Sequence, residues 1–306
     1  MGLEPQVKAL IDATAANATD IATITPEQLR AQFTMMGAVT GAPQMPTEDT
    51  TVPGPAAAIP VRVYSPAGST PEGPTIVWYH GGGWVIGDLE SHDAPCRRLA
   101  AATGKRLVAV DYRLAPEHPY PAGPEDAYAA LRAVQGGTLG GPPSWLAVAG
   151  DSAGGNLTAV VSLIARDRGT PIPDFQVLIY PVTDPDGDYP SHHENATGYM
   201  LTAEMMDWFT GHYVTDESQA ADPYVAPVRA ASHAGLPPAH IVTAEFDPLR
   251  DEGETYAKLL SGAGVPATAV RYDGQIHGFF GLPELFGPTA QKVVDDVAAV
   301  LRSAAP

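Results

Sequence analysis

The chain alternates between short apolar runs and longer segments with helical spacing. Most of these runs, rich in Val and Ile, are separated by segments long enough for a helix. Because their apolarity is continuous, they are typical of strands covered on both faces, which favours a largely parallel sheet between helices. The pattern therefore predicts an α/β fold built on the runs TIVWYH, RLVAVDY, WLAVAGD, FQVLIYP, AHIVTAEF and ATAVRYD.

The first fifty residues follow a different pattern. Leu3, Val7, Leu10 and Ile11 recur at helical spacing, and TPEQLRAQF then starts a second helix. Thr25 is its predicted N-cap, Pro26 its first residue and Gln28 the partner in a capping box. From about residue 48, TTV and IPVRVYS alternate in polarity and predict a hairpin-like pair of strands. We expect two N-terminal helices over residues 1–46, followed by a main domain over residues 47–306.

A second departure lies between residues 183 and 223, where Asp, His, Tyr and Met become frequent. The run LTAEMMDWFTGHY predicts a helix there, and the segment reads as an insertion over the sheet at about residues 185–223. TDPDGDYPSHHEN invites a metal hypothesis, but as an EF-hand loop it has Tyr189 at the glycine position and Asn195 at the glutamate position. As a zinc site, its adjacent His192 and His193 cannot readily converge on one ion. We expect a polar loop and no metal.

Composition limits the classes of function. With 306 residues, 44% of them apolar, the chain can bury a large core, and one domain with additions is expected. A net charge of −18 argues against nucleic acid or anionic lipid as a partner. The single cysteine, Cys96, excludes an internal disulfide, and the pattern of the first residues predicts neither a signal peptide nor a membrane span there. These features favour a cytoplasmic protein that does not insert into membranes.

The most informative stretch is WLAVAGDSAGGN, where an apolar run stops at Ser152. Gly150 and Gly154 complete a G-x-S-x-G pattern, and Leu157, Val160, Val161 and Ile164 then mark one face of a helix. A serine between a strand and a helix, flanked by small residues, is typical of a nucleophile elbow. Ligands of open α/β sheets bind at this edge, outside the carboxyl ends of the strands. Ser152 is therefore the candidate nucleophile.

A serine hydroxyl needs a base, and in an elbow the partners follow in the order serine, acid, histidine. His277, in DGQIHGFFG, is the candidate base because it alone follows the last two strand candidates. Glu245, Asp247 and Asp251 are candidates for the acid. Asp247 is preferred because Asp-Pro directly after a strand forms a fixed turn, whereas Asp251 suits the start of the next helix.

The negative charge that develops on the substrate needs backbone donors. Ala153, directly after the nucleophile, is expected to supply one. The run HGGGW follows the strand candidate TIVWY and is expected to supply others from Gly81 and Gly82. A phosphate-binding loop is excluded because the run lacks G-x-G-x-x-G spacing and no lysine follows it.

The motifs HGGGW, VDYRLAPEHPYPA, GDSAGGN, DPLRDEGETYA and IHGFF occur in this order. Together they make the chain similar to the bacterial hormone-sensitive lipase family of α/β-hydrolases, from about residue 48 to the C-terminus. The resemblance implies a sheet of about eight strands under a helical cap, formed by the N-terminal helices and the insertion. It also implies the same catalytic and oxyanion residues as those chosen above.

The cap determines the substrate pocket, and several large residues are candidates for its walls. They are Met35, Met36, Trp84, Tyr199, Met205, Trp208 and Leu249, and ordinary packing within the cap is the equal alternative for each of them. Asp151, beside the nucleophile, is a further candidate for the substrate site, with anchoring of the elbow or a neighbouring loop as its alternative role. No chemistry attaches to the stretch YRLAPEHPYPA; Arg113 and Glu117 within it are expected to form a structural ion pair or a hydrogen-bonding hub.

The sequence thus predicts a serine carboxylesterase that hydrolyses short- to medium-chain esters through an acyl-enzyme, without metal or organic cofactor. A lactone or amide hydrolase would use the same triad. Plant hormone receptors share the fold and bind ligands without turnover, but they have lost the histidine that is present here as His277. The expected partner is a small ester. The family resemblance also suggests a homodimer, although no exposed stripe in the sequence indicates an interface.

Overall fold

A central sheet organises the protein. A computed structural model describes residues 2–15, 21–37 and 41–305, with the side chains of Ala15 and Met36 left out. The strands are β1 (Thr47–Val52), β2 (Ile59–Tyr64), β3 (Thr75–Tyr79), β4 (Arg106–Val110), β5 (Leu146–Asp151), β6 (Phe175–Ile179), β7 (Ala239–Phe246) and β8 (Ala267–Ile276). Their order across the sheet is β1-β2-β4-β3-β5-β6-β7-β8. The hairpin and all six predicted runs are confirmed as strands.

The direction of the strands decides where loops meet. β2 runs antiparallel to β1 and β4, whereas β3 to β8 are all mutually parallel. Every residue of β3, β4 and β5 is buried, which explains their continuous apolarity. The carboxyl ends of β3, β5, β7 and β8 therefore lie at one edge of the sheet. This is the predicted mostly parallel α/β sheet.

Helices cover both faces of the sheet. They are α1 (Pro5–Ala15), α2 (Pro26–Gly37), α3 (Asp93–Thr103), α4 (Ala122–Gln135), α5 (Ala153–Asp167), α6 (Pro190–Glu194), α7 (Ala203–Tyr213), α8 (Arg250–Gly262), α9 (Pro283–Phe286) and α10 (Pro288–Ala304), with short 3₁₀ turns at Glu217–Ala221 and Pro227–Arg229. Strand alternation separates two main cores. Val77 and Tyr79 of β3 pack with Leu131 of α4, whereas Ile76 and Trp78 face the core that contains α3 and α10.

The N-terminal helices have the predicted local signals. The Thr25 backbone N–H donates to Gln28 Oε1 at 3.0 Å, and the Gln28 N–H donates to Thr25 Oγ1 at 3.3 Å, which confirms the capping box. Residues 1, 16–20 and 38–40 of the predicted 1–46 segment lie outside the described residues. α6 and α7 fall within residues 185–223, and the predicted helix in LTAEMMDWFTGHY is confirmed as α7. The division into a cap and a main domain stays a prediction.

Arg113 and Glu117 do not pair with each other, and the alternative expectation, a hydrogen-bonding hub, matches their contacts. Arg113 instead pairs with Asp126 of α4, with its Nε at 2.7 Å from Oδ2. Glu117 pairs with Arg30 of α2, with Nη2 at 2.7 Å from Oε2. The two residues are close in sequence, but each finds its partner on a helix that only the tertiary fold brings near. The stretch 112–122 is thus tied to two helices.

Candidate active site

Ser152 occupies a sharp turn between β5, which ends at Asp151, and α5, which begins at Ala153. Its φ of 55° lies in the left-handed region, a strained conformation for a residue with a side chain. The turn is possible because its flanks are glycines. A Cβ on Gly154 would lie 1.9 Å from the Tyr79 carbonyl oxygen, and one on Gly150 would lie 2.4 Å from that of Gly154. The close approach of the strand and the helix places the serine at the edge of the sheet, where it lines a cavity.

The structure brings Ser152, Asp247 and His277 together. His277 directly follows β8, and its Nε2 lies 2.9 Å from Ser152 Oγ. Asp247 directly follows β7, and its Oδ2 lies 2.8 Å from His277 Nδ1. The Asp247 side chain is fully buried, and its Oδ1 accepts the Leu249 N–H at 2.9 Å. A hydroxyl, an imidazole and a carboxylate are thereby connected in one line of hydrogen bonds.

The other two acid candidates are engaged elsewhere. Asp251 lies in the first turn of α8, where its Oδ2 accepts the Ser191 N–H at 2.9 Å and its Oδ1 pairs with Arg250. Glu245 accepts the Gly274 N–H at 2.7 Å. Among the three candidates, only Asp247 bonds to His277.

A second imidazole lies close by but is chemically different. His80 follows β3 and is 2% exposed, and burial together with the neighbouring His92 lowers its pKa to about 4. Its Nδ1 lies 2.8 Å from the Gly81 carbonyl oxygen. His80 is therefore neutral at physiological pH and bonded to its own loop, which fits a structural role.

The loop HGGGW corrects one expectation. The Gly81 N–H donates to Asp151 Oδ1 at 2.9 Å, with His92 Nε2 at 3.3 Å, so Gly81 is wrong as an oxyanion donor. Gly82 and Gly83 line the cavity in front of Ser152, and Gly81 does not. Within the described residues, no hydrogen bond of the turns and loops uses the N–H of Gly82, Gly83 or Ala153. These amides remain available to a ligand.

Close packing explains why the loop needs glycines. A Cβ on Gly82 would lie 2.2 Å from the Ile86 carbonyl oxygen, and one on Gly83 would lie 2.2 Å from Cγ of Phe209 in α7. Both residues have positive φ, at 117° and 56°. A side chain at either position would therefore displace the loop or the helix above it.

Asp151 anchors this loop. Burial alone would raise the pKa of its carboxyl, but His92 and the Gly81 amide outweigh burial and hold that pKa below its ordinary value. An ionised carboxylate is a strong acceptor, so it fixes the orientation of the first amide of the loop. The alternative role considered for Asp151, anchoring a neighbouring loop, matches these contacts. Asp151 also lines the cavity.

A cavity of about 760 Å³ opens at the serine. Of the predicted wall residues, Trp84, Tyr199, Met205 and Leu249 line it. Trp208 does not; it lies edge-on to Phe209 and His212 in α7. Met35 is 72% exposed, and the Met36 side chain lies outside the described residues. On a helix, a shift of one position moves a side chain by about 100° around the axis, so Phe209 faces the site in place of Trp208.

The sequence did not identify most of the wall. The cavity is also lined by apolar and aromatic residues from the N-terminal helices, the turn after β6, the α7 segment, and the loop and short helix after β8: Ile11, Leu29, Phe33, Tyr180, Leu201, Met206, Phe209, Phe280, Leu282 and Leu285. IHGFF gave a signal for Phe280 because it lies three residues after His277. The residues from α1 and α2 had no such signal, since they reach the site only through the tertiary fold.

The acidic and histidine-rich loop forms separate pairs. Asp184 bonds to Arg229, His192 to Glu252 and His193 to Asp188. Over residues 2–15, 21–37 and 41–305, no group of three or more His, Cys, Asp or Glu side chains is arranged to hold a metal ion. Among the helices of the same residues, none combines the length and apolarity needed to span a bilayer.

Comparisons with known proteins agree with this geometry. A family model described as the alpha/beta hydrolase fold matches residues 76–281. The chain is 46% identical over 261 residues to carboxylic ester hydrolase LipN of Mycobacterium tuberculosis, a match that covers 82% of this chain and 69% of the relative. It is 40% identical over 312 residues to carboxylesterase NlhH of the same organism, over 98% of this chain and 96% of the relative.

Solved structures give a similar result. The hyperthermophilic esterase of the archaeon Pyrobaculum calidifontis superposes with a TM-score of 0.94 at 42% identity, with 99% of each chain covered. An α/β-hydrolase from the metagenome of Lake Arreo, solved as a Ser161Ala mutant, superposes with a TM-score of 0.93 at 40% identity over 98% of each chain. The similarity therefore includes the N-terminal helices as well as the sheet.

Proposed function

Because this chain belongs to the hormone-sensitive-lipase-like family of α/β-hydrolases, we propose that it is a serine carboxylesterase of short- to medium-chain esters. The observation that carries the proposal is the line of hydrogen bonds from Ser152 through His277 to Asp247, with distances of 2.9 and 2.8 Å. It opens into a largely apolar cavity.

In the first half of the reaction, His277 Nε2 takes the proton from Ser152 Oγ as the oxygen attacks the ester carbonyl. Asp247 holds His277 with Nδ1–H toward the carboxylate and stabilises the imidazolium that forms. His277 then donates the proton to the departing alkoxide, which leaves as an alcohol. The acyl group remains on Ser152.

In the second half, a water molecule replaces the alcohol. His277 takes its proton, the resulting hydroxide attacks the acyl carbonyl, and the bond to Ser152 Oγ breaks as the proton returns to that oxygen. The products are the carboxylic acid and the free serine. The same imidazole serves as base and as acid in both halves of the reaction. It therefore needs to reach only one side of the carbon at which the bonds form and break.

The tetrahedral intermediate carries a negative oxygen, and the N–H groups of Gly82, Gly83 and Ala153 are the proposed donors to it. Gly82 and Gly83 line the cavity, and Ala153 begins α5, where the helix dipole also favours negative charge. Fixed backbone donors stabilise the transition state because they need no reorganisation as charge develops. Loss of one such donor typically costs about 3 to 4 kcal/mol of barrier.

The cavity favours neutral, apolar substrates. Its described walls contain the acidic residues Asp151 and Glu204 and no Lys or Arg, and most of the remaining lining residues are apolar or aromatic. A substrate carboxylate would lose its hydration there without a cationic partner. We therefore expect uncharged acyl groups to be preferred over acyl groups that carry a second carboxylate.

Two measurements test the proposal. Ser152→Ala should lower kcat for a chromogenic butyrate ester by about 10⁴- to 10⁶-fold, while circular dichroism and Tm stay close to the parent values. Substantial turnover by the folded variant would overturn the assignment. Rates for acyl chains of about two to sixteen carbons, with a lactone and an amide included, define the substrate class. A preference for the amide or lactone would replace the ester proposal with that reaction.

Three further features complete the proposal. The substrate is a small molecule, and we propose a cytoplasmic location and a homodimer in solution. Cell fractionation tests the location. Light scattering coupled to size-exclusion chromatography tests the dimer, and a mass equal to one chain across the accessible concentrations would exclude it.

A further inference from the structure

The stretch YRLAPEHPYPA lies directly behind the oxyanion loop, defined here as residues 80–88. The Tyr112 hydroxyl donates to the His80 carbonyl oxygen at 2.8 Å, and the Ala115 N–H donates to the Trp84 carbonyl oxygen at 2.9 Å. His80 and Trp84 are the first and last residues of HGGGW. The three glycines therefore lie between two carbonyl groups that the same distant segment holds.

Ring packing strengthens both attachments. The Tyr112 ring stacks on the His80 ring, with centroids 4.3 Å apart and planes 15° apart. The Trp84 ring stacks on Tyr213 of α7 at 4.2 Å and 4°, and the Tyr213 carbonyl oxygen accepts the Tyr120 N–H at 2.9 Å. Each end of the glycine run is thus fixed in position and in rotation.

Arg30 of α2 links the two segments. Its Nε donates to the Val85 carbonyl oxygen at 2.8 Å, and its Nη2 donates to the Ala115 carbonyl oxygen at 2.8 Å. Glu117 holds the guanidinium, with Nη1 and Nη2 at 2.9 and 2.7 Å from its two carboxylate oxygens. A planar guanidinium can make all these bonds at once, whereas a lysine ammonium cannot reproduce that fork.

We propose that Tyr112 and Arg30 are positioning residues of the oxyanion hole, which together with the backbone of residues 112–120 hold the amides of Gly82 and Gly83 toward the cavity. This rests on the proposed function, because it assumes that these amides receive the negative charge. Donors that must be fixed before charge develops contribute to the transition state far more than to the bound ester. The effect should therefore appear in kcat and not in KM.

Tyr112→Phe removes one hydroxyl, and the chain offers a matched control in Tyr79→Phe. Both tyrosines are buried, and both hydroxyls donate to a backbone carbonyl, since Tyr79 bonds to the Ala127 oxygen in α4 at 3.0 Å. Only the Tyr112 acceptor belongs to the oxyanion loop. A purely structural role would lower the Tm of both variants similarly and leave kcat alike.

We expect Tyr112→Phe to lower kcat for a chromogenic butyrate ester about tenfold, with KM within about twofold of the parent value. Affinity for an alkyl trifluoromethyl ketone, which forms a tetrahedral oxyanion on the serine, should fall by a similar factor. Tyr79→Phe should change both quantities by less than about twofold. Equal kcat values for the two variants, or a change confined to KM, would overturn the proposal.

Arg30 gives a second test, which also applies if Tyr112→Phe does not fold. Arg30→Lys keeps the charge beside Glu117 but loses the simultaneous bonds to Val85 and Ala115, and it should lower kcat about five- to tenfold. Arg168→Lys is its control, because Arg168 pairs with Glu125 at the surface. Equal kcat in the two lysine variants would count against the role of Arg30. Full activity of Tyr112→Phe beside an inactive Ser152→Ala removes only this inference, whereas activity of Ser152→Ala removes the proposed function.

Discussion

The nucleophile elbow and the oxyanion loop are two turns of the same kind that are stabilised in different ways. Both follow parallel strands at the same edge of the sheet, and each holds a residue with a side chain at positive φ, Ser152 at 55° and Trp84 at 61°. The elbow is closed by its own glycines against the neighbouring strand. The oxyanion loop is held by Arg30, Tyr112, Ala115 and Asp151, which lie far from it in sequence.

The difference shows which part of a site a short motif can specify. The five-residue pattern G-x-S-x-G is enough to predict the position of Ser152, because these same five residues form the strained turn. HGGGW specifies only that the backbone is free to turn. Which backbone amides of the loop can face the substrate depends on which of them already donate hydrogen bonds within the protein. The Gly81 amide donates to Asp151.

The largest expected effect tests the line of hydrogen bonds from Ser152 through His277 to Asp247. Asp247→Asn should lower kcat about 10⁴-fold, because the amide no longer holds His277 in the required tautomer. Asp251→Asn, which removes a carboxylate bonded to Ser191 and Arg250, should lower kcat by less than about tenfold. Steady-state kinetics of the two folded variants decide the matter, and the reverse ranking would reassign the acid.

The next effect contrasts a glycine of the oxyanion loop with a glycine elsewhere. Gly82→Ala places a Cβ 2.2 Å from the Ile86 carbonyl oxygen, so the loop must move and its amide with it. We expect kcat to fall about 10²- to 10³-fold, as for loss of an oxyanion donor. Gly169→Ala is the control, because its φ is also positive, at 63°, but nothing lies within 4 Å of the new Cβ. If both variants retain parental kcat, Gly82 is not part of the hole.

The same contrast explains which features of the fold and of the site could be predicted from the sequence. The eight strands, the capping box of α2 and helix α7 were predictable because strand burial and helix ends are local signals. Ser152, Asp247 and His277 were predictable in position because parallel strands bring their carboxyl ends to one edge. Their catalytic roles stay predictions until the variants are measured.

The errors share one physical cause. Gly81 was chosen as an oxyanion donor, Glu117 was considered as the partner of Arg113, and Trp208 rather than Phe209 was a candidate for the cavity wall. In each case the outcome depends on a partner from another part of the chain: Asp151, Arg30, or the packing of α7 over Gly83. Periodicity and motifs contain no information about such partners.

The next prediction concerns how the stability of the protein depends on pH beside the stretch 112–122, which supports the oxyanion loop. Asp111 immediately precedes Tyr112, and burial raises its pKa to about 6, with Asp88 at the end of the oxyanion loop adding like-charge repulsion. Arg62 opposes the shift. Since the folded-state pKa is raised, the folded protein binds more protons than the unfolded chain between about pH 4 and 6. Stability from this group is therefore present at low pH and lost as the pH rises through about 6.

Asp111→Asn should remove that loss. We expect its free energy of unfolding to exceed that of the parent by up to about 3 kcal/mol at pH 8, and by little at pH 4, where Asp111 is largely protonated. Urea unfolding at the two pH values measures the difference. A variant that gains the same stability at both pH values would show that ionisation of Asp111 does not destabilise the folded state.

The smallest expected effect tests whether the N-cap of α2 influences the contacts that Arg30 of the same helix makes with the oxyanion loop. Thr25 caps α2, the helix that carries Arg30, and Thr25→Ala removes the side-chain acceptor of the Gln28 N–H. The loss should lower the free energy of unfolding by about 1 kcal/mol. The activity of the folded enzyme should change by less than about twofold, since Arg30 lies one turn further into the helix and keeps its bonds to Val85 and Ala115.

Ser218→Ala is the matched control for this last variant, because it also removes a hydroxyl close to a helix start, in the 3₁₀ turn Glu217–Ala221, and no residue of that turn lines the cavity. Chemical denaturation and kcat are measured on both. If Thr25→Ala lowered kcat as much as Arg30→Lys, fraying of the first turn would reach the oxyanion loop, and the local cap would belong to the same support as the distant contacts. If kcat is unchanged, α2 and the oxyanion loop are stabilised independently. Local sequence then forms α2, and tertiary contacts orient the loop.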